Sequence, residues 1–211
     1  MPYPWNGPVG SAFFLQPTEY LAKSLLGTVL VHDTAEGRTA GRIVEVEMYQ
    51  GPKDRAAHSF GGRITDRTRV MYEEAGRAYV YFIYGMHHCL NVVSGSRGCP
   101  EAILIRALEP LDGLELMARR RGLAGLRTPR QVCHLTNGPG KLAQAMAITK
   151  AQYGLRLDVP PLRLYHDLDP LPAEKLAAGP RINVGYAQEA AHYPWRFWIA
   201  DHPCVSVRAP L

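Results

Sequence analysis

Residues 42–49 read Arg42-Ile-Val-Glu-Val-Glu-Met-Tyr49, a run in which apolar and polar side chains alternate. Successive side chains of a β-strand point to opposite faces, so this period of two residues predicts a strand. One face carries Val44, Val46 and Met48. The other face carries Ile43, Glu45, Glu47 and Tyr49. The first set is an apolar core face, and the second predicts two carboxylates and a phenol side by side.

The residues before this strand predict a helix and a β-hairpin. A helix is expected over residues 11–26, with Pro17 in its first turn and Gly27 after its end. A second strand is expected at residues 28–32, separated by the turn residues 33–37 from the strand that begins at Thr39. We expect these two strands to pair as an antiparallel hairpin.

The residues after it predict a long loop, a second hairpin and further short elements. Residues 51–69 have no hydrophobic period apart from a helical turn at 54–58, and a long ordered loop of this kind is more often functional than not. Strands are expected over residues 78–84, 86–93 and 101–108, and Glu109-Pro110 ends the last of them. Helices are expected from Asp112 to Arg121 and from Lys141 to Ile148. Shorter strands are expected at residues 162–165, 181–186 and 195–199.

Composition places the chain among ordinary globular proteins. It has 211 residues, of which 46% are hydrophobic, and no linker or repeat separates two halves. No apolar run is long enough to span a bilayer, and the N-terminus has no signal-peptide pattern. The four cysteines lack CxxC spacing and are expected to be reduced, mostly buried thiols of a cytoplasmic protein. The formal charge of +5 points mildly to an anionic partner.

Glu45 and Glu47 are the candidate catalytic groups. Acidic residues on one strand face more often form a solvated surface. Tyr49 on the same face and His58 after the next turn favour a function, because a carboxylate near aromatic rings can act as a general base on water. Residues two apart on a strand point in parallel, which suits the acid/base pair of glycoside hydrolysis poorly, so one working carboxylate is expected. Arg106, inside an apolar strand, needs an acidic or anionic partner.

Aromatic side chains cluster in residues 78–84, where Tyr79 and Tyr81 share a strand face. Strand tyrosines are usually packing residues, but Tyr84 precedes Gly85 at a hairpin tip, from which a ring can protrude. The glycine-rich turn at 136–140 and Lys141 could hold a phosphate, although most helix starts bind nothing. The spacing of the histidines and cysteines does not suit a metal site, so neither a metal nor another cofactor is expected.

Four long, collinear motifs carry a resemblance to a known family. They are Arg42-Ile-Val-Glu-Val-Glu-Met-Tyr-Gln-Gly-Pro-Lys-Asp-Arg-Ala-Ala-His58, Tyr79-Val-Tyr-Phe-Ile-Tyr-Gly-Met86, Arg106-Ala-Leu-Glu-Pro-Leu-Asp-Gly113 and Gly138-Pro-Gly-Lys-Leu142. The chain closely resembles the alkyladenine (3-methyladenine) DNA glycosylase family over nearly its whole length. The resemblance implies an α+β fold, with a single mixed domain over residues 1–211 that has a curved, mainly antiparallel sheet and flanking helices. That fold is similar to the C-terminal domain of methionyl-tRNA formyltransferase.

The resemblance also implies roles for individual residues. Glu47 matches the catalytic base that activates the hydrolytic water, and Arg106 matches the arginine that helps to hold this water. The pocket for the flipped base is implied at Tyr49, His58, Tyr81 and Asn91. Asn91 matches the asparagine that resists the exocyclic amine of guanine.

Tyr84 matches the wedge that is inserted where the damaged nucleotide has left the stack. Contacts to the DNA backbone are assigned to Arg63, Arg67, Arg69 and Lys141, because basic side chains hold phosphates without reading sequence. The chain departs from the family at Met48, where the family has a small residue, and at His87-His88, which replace aromatics beside the wedge. Met48 is expected to point away from Glu47 and to change only the packing.

The function implied by the resemblance is that of a monofunctional DNA glycosylase without metal or cofactor. It would flip damaged purines out of double-stranded DNA and cleave the N-glycosidic bond with water, which starts base-excision repair. The alkylated bases 3-methyladenine and 7-methylguanine suit stacking on tyrosines because they are cationic, whereas hypoxanthine and ethenoadenine would need protonation on leaving. A monomer is expected, in the cytoplasm or on the nucleoid if the source is bacterial, with no membrane partner.

Two alternatives stay open. One is a non-catalytic RNA- or tRNA-binding module on the same fold, with the carboxylates on a solvated face. The other is a hydrolase of free nucleosides.

Overall fold

The computed structural model describes residues 5–168 and 171–207, with only the backbone of Ala173. Residues 1–4, at the N-terminus that was inspected for a signal-peptide pattern, lie outside the described residues.

Eight strands in the described residues join in one curled antiparallel sheet. They are β1 (Val29–Thr34), β2 (Gly37–Tyr49), β3 (Ala78–Ile83), β4 (His87–Ser94), β5 (Glu101–Asp112), β6 (Leu162–Tyr165), β7 (Leu176–Gly179) and β8 (Arg196–Ile199). The main path runs β3-β4-β5-β2-β1-β6, and β8 pairs with both β2 and β7. The long strand β2 is central, because it pairs with β1, β5 and β8. Both hairpins expected from the sequence, β1–β2 and β3–β4, are confirmed.

Four short α-helices pack on the sheet. They are α1 (Thr18–Leu25), α2 (Leu114–Arg120), α3 (Pro129–His134) and α4 (Pro139–Ala145). Their apolar side chains, such as Leu21 and Leu25 of α1 and Leu142 of α4, join the main core cluster. The sheet contributes Val46 and Met48 of β2 to the same cluster, so Met48 packs in the core as expected.

Period-two alternation separates this core from the other face of the sheet. Val80, Leu90, Val92, Ile103 and Ile105 belong to the main core. Their neighbours in sequence, Tyr79, Tyr81, Cys89, Asn91 and Leu104, line a cavity on the opposite face. Tyr79 and Tyr81, which were expected on one face of their strand, are thus both on the cavity face.

A double irregularity interrupts the pairing of β2 with β5. Ile43 pairs with Leu108, Glu45 with Ala107 and Val46 with Ile105, so the register skips Val44 on β2 and Arg106 on β5. An extra residue of this kind bends a strand and re-aims its side chains. Ile43, which was expected on the glutamate face, lies in the main core together with Val44, because the bulge breaks the alternation at this point.

Several element boundaries expected from the sequence are wrong. The helix expected over residues 11–26 is divided into a 3₁₀ helix at Ser11–Leu15 and α1, because Gln16 takes the extended backbone that a following proline favours. Strand β5 runs past Pro110 to Asp112. Beyond Leu104 this strand pairs with β2 but no longer with β4, and an edge position tolerates a proline.

Loops and caps also differ from expectation. Residues 54–58 form turns instead of a helical turn, and Asp54 accepts a hydrogen bond from the Ala56 N–H at 3.0 Å. Residues 181–186 are not a strand, because Asn183 takes a positive φ of 59° and a 3₁₀ segment begins at Gly185. Gly113, not Asp112, is the N-cap of α2, and a Cβ at Gly113 would lie 2.3 Å from the Arg38 carbonyl oxygen. Helix α3 and strand β7 were not expected from the sequence.

The expectation that all four cysteines are reduced thiols is wrong. Cys133 of α3 and Cys204 near the C-terminus form a disulfide, with their Cα atoms 4.7 Å apart. The two residues are 71 positions apart in sequence, so only the tertiary fold brings them within bonding distance. Cys89 is a buried free thiol, and Cys99 is free and exposed.

Within the described residues, none of the helices has both the length and the apolar character needed to cross a membrane.

Candidate active site

A cavity of about 280 Å³ opens on the face of β2–β5 that is turned away from the main core. Its lining includes all seven residues predicted for the catalytic, base-binding and wedge roles: Glu47, Tyr49, His58, Tyr81, Tyr84, Asn91 and Arg106. Two further segments complete its wall, residues 182–186 and the start of α4 at Pro139-Gly140. The structure thus brings the predicted residues together, while their individual roles stay predictions.

Glu47 is a fully buried carboxylate at the cavity wall. Its Oε2 accepts a hydrogen bond from the Tyr49 hydroxyl at 2.9 Å, and Nη1 of Arg106 lies 3.2 Å from the same oxygen. Its Oε1 accepts from the backbone N–H of Ile182 at 2.6 Å. Two hydrogen-bond donors and one ion-pair partner fix the carboxylate, so both oxygens are acceptors in a defined orientation.

Glu45 is equally buried but does not line the cavity. Its Oε1 accepts from Nε of Arg106 and from Nη1 of Arg196, each at 3.1 Å, and its Oε2 accepts from the backbone N–H of Ser206 at 2.7 Å. Neither glutamate lies on the solvated strand face that the RNA-binding alternative requires, because both are buried. Two carboxylates alternate with two guanidinium groups, and this mutual compensation is what permits so many charges inside the protein. Arg106 has the acidic partners that its place in the sequence required.

Tyr49 is held by an arginine that the sequence analysis did not identify. The guanidinium of Arg181 lies 4.7 Å from the centre of the Tyr49 ring and 5.0 Å from that of Trp195. Arg181 forms a fully buried ion pair with Asp54, with Nη2 2.9 Å from Oδ1, and also donates to the carbonyl oxygen of Met48 at 3.0 Å. Burial raises the pKa of Tyr49 well above its usual value, and the charge of Glu47 adds to this shift. The phenol therefore stays protonated as the donor to Glu47.

A second group of rings in the cavity lining is formed by Tyr79, Tyr81 and His58. The His58 ring lies edge-on to Tyr81 at 4.6 Å, and its Nδ1 is 2.7 Å from the Tyr79 hydroxyl. Nη2 of Arg67 is 3.1 Å from His58 Nε2, which assigns the proton of the neutral imidazole to Nδ1 because an arginine can only donate. Arg67 also lies 4.7 Å from the centre of the Tyr81 ring. Both ring nitrogens of His58 are thus engaged.

His58 keeps an exposed edge, yet burial of the ring and the nearby charge of Arg67 lower its pKa to about 4. The unfolded chain has the ordinary histidine value of about 6.5, so it binds the proton first as the pH falls. The contribution of His58 to stability is therefore fully present above about pH 6.5 and is lost as the pH falls towards 4.

We expect NMR titration of the free protein to give a His58 imidazole pKa of about 4. In Arg67→Gln the value should rise towards 6.5, because the second cause of the shift is removed while burial remains. An unchanged value in Arg67→Gln, with the other histidine signals unaltered, would show that the guanidinium does not act on this ring.

The floor of the cavity is formed by Cys89, Asn91 and Leu104. Asn91 is buried opposite Tyr79 in the β3–β4 ladder, and its Nδ2 donates to the Tyr79 carbonyl at 2.9 Å. This hydrogen bond fixes the side-chain amide against the strand. Burial raises the pKa of the Cys89 thiol, so the floor is neutral at this point.

Two tyrosines stand at the cavity mouth. Tyr84 is 74% exposed at the β3–β4 turn, where it takes a positive φ of 54° beside Gly85. Tyr186 is 70% exposed on the other wall. His87 lines the cavity, and a Cβ on Gly140 would lie 2.9 Å from its Cγ, so the glycine lets α4 begin against this side chain. His88 does not line the cavity and packs on Phe82, with ring centres 5.0 Å apart.

The four basic residues predicted to contact the DNA backbone lie outside the cavity lining. Arg67 is engaged with His58 and Tyr81, as described above. Arg69 forms an exposed ion pair with Asp66, and Arg63 is exposed in the same loop. Lys141 of α4 donates to Asn137 Oδ1 at 2.8 Å.

Sequence reasoning missed the parts of the cavity that come from distant segments. These are Asp54 and Arg181 behind Tyr49, Ile182 on Glu47, and the mouth residue Tyr186. Arg181, Ile182 and Tyr186 lie in one stretch, Arg181-Ile-Asn-Val-Gly-Tyr186, which was interpreted as a short strand. The one available signal was an arginine flanked by apolar residues, the same pattern that identified Arg106 as a buried charge needing a partner. Within the described residues, no group of three or more His, Cys, Asp or Glu side chains is placed to hold a metal ion.

Comparison with known proteins gives consistent matches. The model of a family described as methylpurine-DNA glycosylase matches residues 12–203. A Bacillus cereus protein named "Putative 3-methyladenine DNA glycosylase" is 49% identical over 198 residues, which cover 92% of this chain and 97% of that protein. A Bacillus mycoides protein of the same name is 50% identical over 198 residues, with the same coverage of both chains. The matched range contains every residue of the cavity lining.

Proposed function

The chain belongs to the methylpurine-DNA glycosylase family, and we propose that it is a monofunctional enzyme that flips and excises alkylated or otherwise damaged purines. Its substrate would be double-stranded DNA containing 3-methyladenine or 7-methylguanine, and the neutral lesions hypoxanthine and ethenoadenine fall in the same chemical class. The product would be an abasic site, which is the entry to base-excision repair. We further propose that residues 1–211 act as one domain and as a monomer in the cytoplasm.

The observation that carries this proposal is the position of Glu47. A buried carboxylate lies at the wall of an aromatic cavity and is oriented by Tyr49, Ile182 and Arg106. A carboxylate held in this way can accept a proton from a water molecule, and its environment keeps the acceptor atoms in place before the substrate arrives.

In the proposed reaction the water oxygen forms a bond to C1′ of the flipped deoxyribose. The bond between C1′ and the base nitrogen breaks, and its electron pair leaves with the base. Glu47 accepts the proton of the attacking water, and Arg106 helps to hold this water. Alkylated purines leave as neutral molecules because they start as cations, whereas hypoxanthine and ethenoadenine must gain a proton.

Recognition of the base is assigned to the aromatic walls. Tyr49 and Tyr81 both line the cavity, and their rings favour electron-poor, cationic bases through the quadrupole of the π-system. Asn91 is fixed at the floor, where it would oppose the exocyclic amine of guanine. A hydrogen bond between His58 Nε2 and the base requires Arg67 to leave this nitrogen, since both ring nitrogens are engaged in the free protein. The cavity of about 280 Å³ is at the small end of ligand pockets, which suits a single base.

Tyr84 is proposed as the wedge that fills the gap in the stack. In Tyr84→Ala we expect base release from duplex DNA to fall by the equivalent of about 1–3 kcal/mol of stacking. The thermal midpoint should not change, because the ring is 74% exposed. Tyr20→Ala is the matched control, since Tyr20 is 68% exposed on α1 and does not line the cavity. Unchanged release from duplex DNA would show that Tyr84 is not the wedge. A hydrolase of free nucleosides would instead cleave a free nucleoside, and Tyr84→Ala would leave that activity unchanged.

The direct test is base release from duplex oligonucleotides that carry 7-methylguanine, ethenoadenine or hypoxanthine. Release without strand nicking is expected, because the described lining of the cavity contains no lysine to form a Schiff base with the sugar. A covalent complex trapped by borohydride would contradict the monofunctional part of the proposal. Absence of release from every lesion would favour the RNA-binding alternative, although that alternative expected Glu45 and Glu47 on a solvated face and both are buried.

The likeness of the fold to the C-terminal domain of methionyl-tRNA formyltransferase stays a prediction.

A further inference from the structure

The positive charge of the chain is concentrated in one segment. Residues 116–157 contain eight Lys and Arg residues and no Asp or Glu. The rest of the chain carries 16 Lys and Arg against 19 Asp and Glu, so outside this segment the formal net charge is negative. The mild overall charge of +5 therefore hides a strong local asymmetry.

Part of this charge is neutralised by acidic side chains from elsewhere. Arg119 and Arg120 both contact Glu36, and Arg156 pairs with Asp158. Five basic side chains around α3 differ from these, and we name them the α3 basic surface: Arg121, Arg127, Arg130, His134 and Lys141. Within the described part of the chain, no carboxylate forms an ion pair with any of the five.

The contacts inside the α3 basic surface are with neutral groups and with one another. Arg121 donates to the side-chain oxygen of Gln144 at 2.6 Å, and Lys141 donates to Asn137. The Lys141 Nζ is only 3.3 Å from His134 Nδ1. The pKa of His134 is lowered, first by the charge of Lys141, and that of Lys141 is lowered by burial and by Arg121. A nearby positive charge lowers the pKa of a basic group, and an anion between the two would offset this repulsion. A bound phosphate would supply that anion.

The α3 basic surface begins at the rim of the candidate active site. Lys141 directly follows Pro139 and Gly140, which line the active-site cavity. Arg130 and His134 line a second, shallower cavity of about 380 Å³ between α3 and the loop after α2. The surface thus extends outward from the point where a flipped nucleotide would enter.

The loop on the other side of the cavity offers less uncompensated charge. Arg67 is engaged with His58 and Tyr81, and Arg69 is paired with Asp66. These contacts compete with phosphate binding, whereas the exposed Arg127 and Arg130 form no ion pair with a described carboxylate. Arg63 is the one arginine of the three in the loop that is exposed without such a competing contact among the described residues.

We propose that the α3 basic surface binds consecutive phosphates of the DNA strand beside the flipped nucleotide and is the main electrostatic contact with the duplex. This inference rests on the proposed function, because it identifies the polyanion as DNA. It also assigns the contact with the DNA backbone largely to Arg121, Arg127 and Arg130, which belong to none of the sequence motifs described above. Each neutralised phosphate releases counterions, so the contribution of each side chain is visible in the salt dependence of binding.

The test measures binding of full-length protein to an undamaged duplex by fluorescence anisotropy at several salt concentrations. Arg130→Gln and Arg121→Gln should each reduce the slope of log K against log salt by about 0.9. Arg156→Gln is the matched control, since this exposed arginine belongs to the same segment but pairs with Asp158, and its slope should equal that of wild type. Arg63→Gln serves as the comparison from the loop.

The proposal would be overturned if the slopes of Arg130→Gln and Arg121→Gln equalled that of Arg156→Gln. It would also be overturned if Arg63→Gln reduced the slope more than Arg130→Gln does. If Arg121→Gln unfolds because its contact with Gln144 is lost, the salt-dependence slope of Arg130→Gln alone tests the proposal, since Arg130 is exposed. If Arg130→Gln and Arg121→Gln reduced the slope with structured RNA but not with duplex DNA, the surface would be an RNA-binding surface, and the proposal would be overturned as well. Binding to undamaged DNA needs no excision, so a protein that binds through this surface but releases no base would refute the proposed function and leave this inference standing.

Discussion

Replacement of Glu47 by glutamine is expected to reduce base release from duplex DNA by about 100- to 10,000-fold, with binding to the same DNA retained. Glutamine has nearly the same shape and can still accept from the Ile182 N–H through its remaining oxygen. It cannot take a proton from water, and its NH₂ group would face Nη1 of Arg106 in place of an acceptor. The measurement is single-turnover release of 7-methylguanine together with the dissociation constant for the lesion duplex.

Two other carboxylates serve as controls for this result. Glu109 is half-buried and pairs with Arg42 outside the cavity lining, so Glu109→Gln should release base at the wild-type rate. Glu45→Gln removes the negative charge that Arg106 and Arg196 share, and we expect a lower stability there because two buried guanidinium groups lose this counter-charge. Full activity of Glu47→Gln would show that this carboxylate is not the base.

Replacement of Asp54 by asparagine is expected to lower the free energy of unfolding by about 3–5 kcal/mol. Asp54 and Arg181 form a fully buried ion pair, and the substitution leaves the charge of Arg181 inside the protein without its carboxylate. The neighbouring residue Ile182 donates to Glu47, and Arg181 covers the Tyr49 ring. Base release should therefore also fall, as the orientation of Glu47 and Tyr49 relaxes. Urea unfolding followed by tryptophan fluorescence measures the stability change.

An exposed pair provides the matched control for the buried one. Arg55 and Glu189 are 3.1 Å apart with both side chains largely in solvent, so Glu189→Gln should cost less than about 1 kcal/mol. The double variant Asp54→Asn with Arg181→Met should be more stable than Asp54→Asn alone, because no unpaired charge remains. Similar losses for the buried and exposed pairs would mean that Arg181 reaches solvent after the substitution.

Local patterns predicted those parts of the site that lie on single strands. Alternation grouped Glu47 with Tyr49 on β2 and Tyr79 with Tyr81 on β3, on strand faces that line the cavity, because burying one face of a sheet imposes a period of two on the sequence. Arg106 was identified as a charge inside an apolar strand, and Asn91 through the family resemblance. Gly85 after Tyr84 predicted an exposed hairpin tip, and the ring is exposed there. Where the alternation failed, at Ile43, a bulge in the β2–β5 pairing had changed the register.

The chain by itself therefore determined which side chains face the cavity and which strands carry them. The tertiary structure alone decided how these side chains are held: Ile182 N–H reaches Glu47 across 135 positions, Arg181 reaches Asp54 across 127, and Cys133 reaches Cys204 across 71. A hydrophobic period records only that one face of a strand is buried. It carries no information about which distant segment covers that face, because that choice depends on how the whole chain packs. For the same reason, strand alternation alone could not exclude a solvated face for Glu45 and Glu47, and the packing of β8 and residues 181–206 against β2 buries both of them.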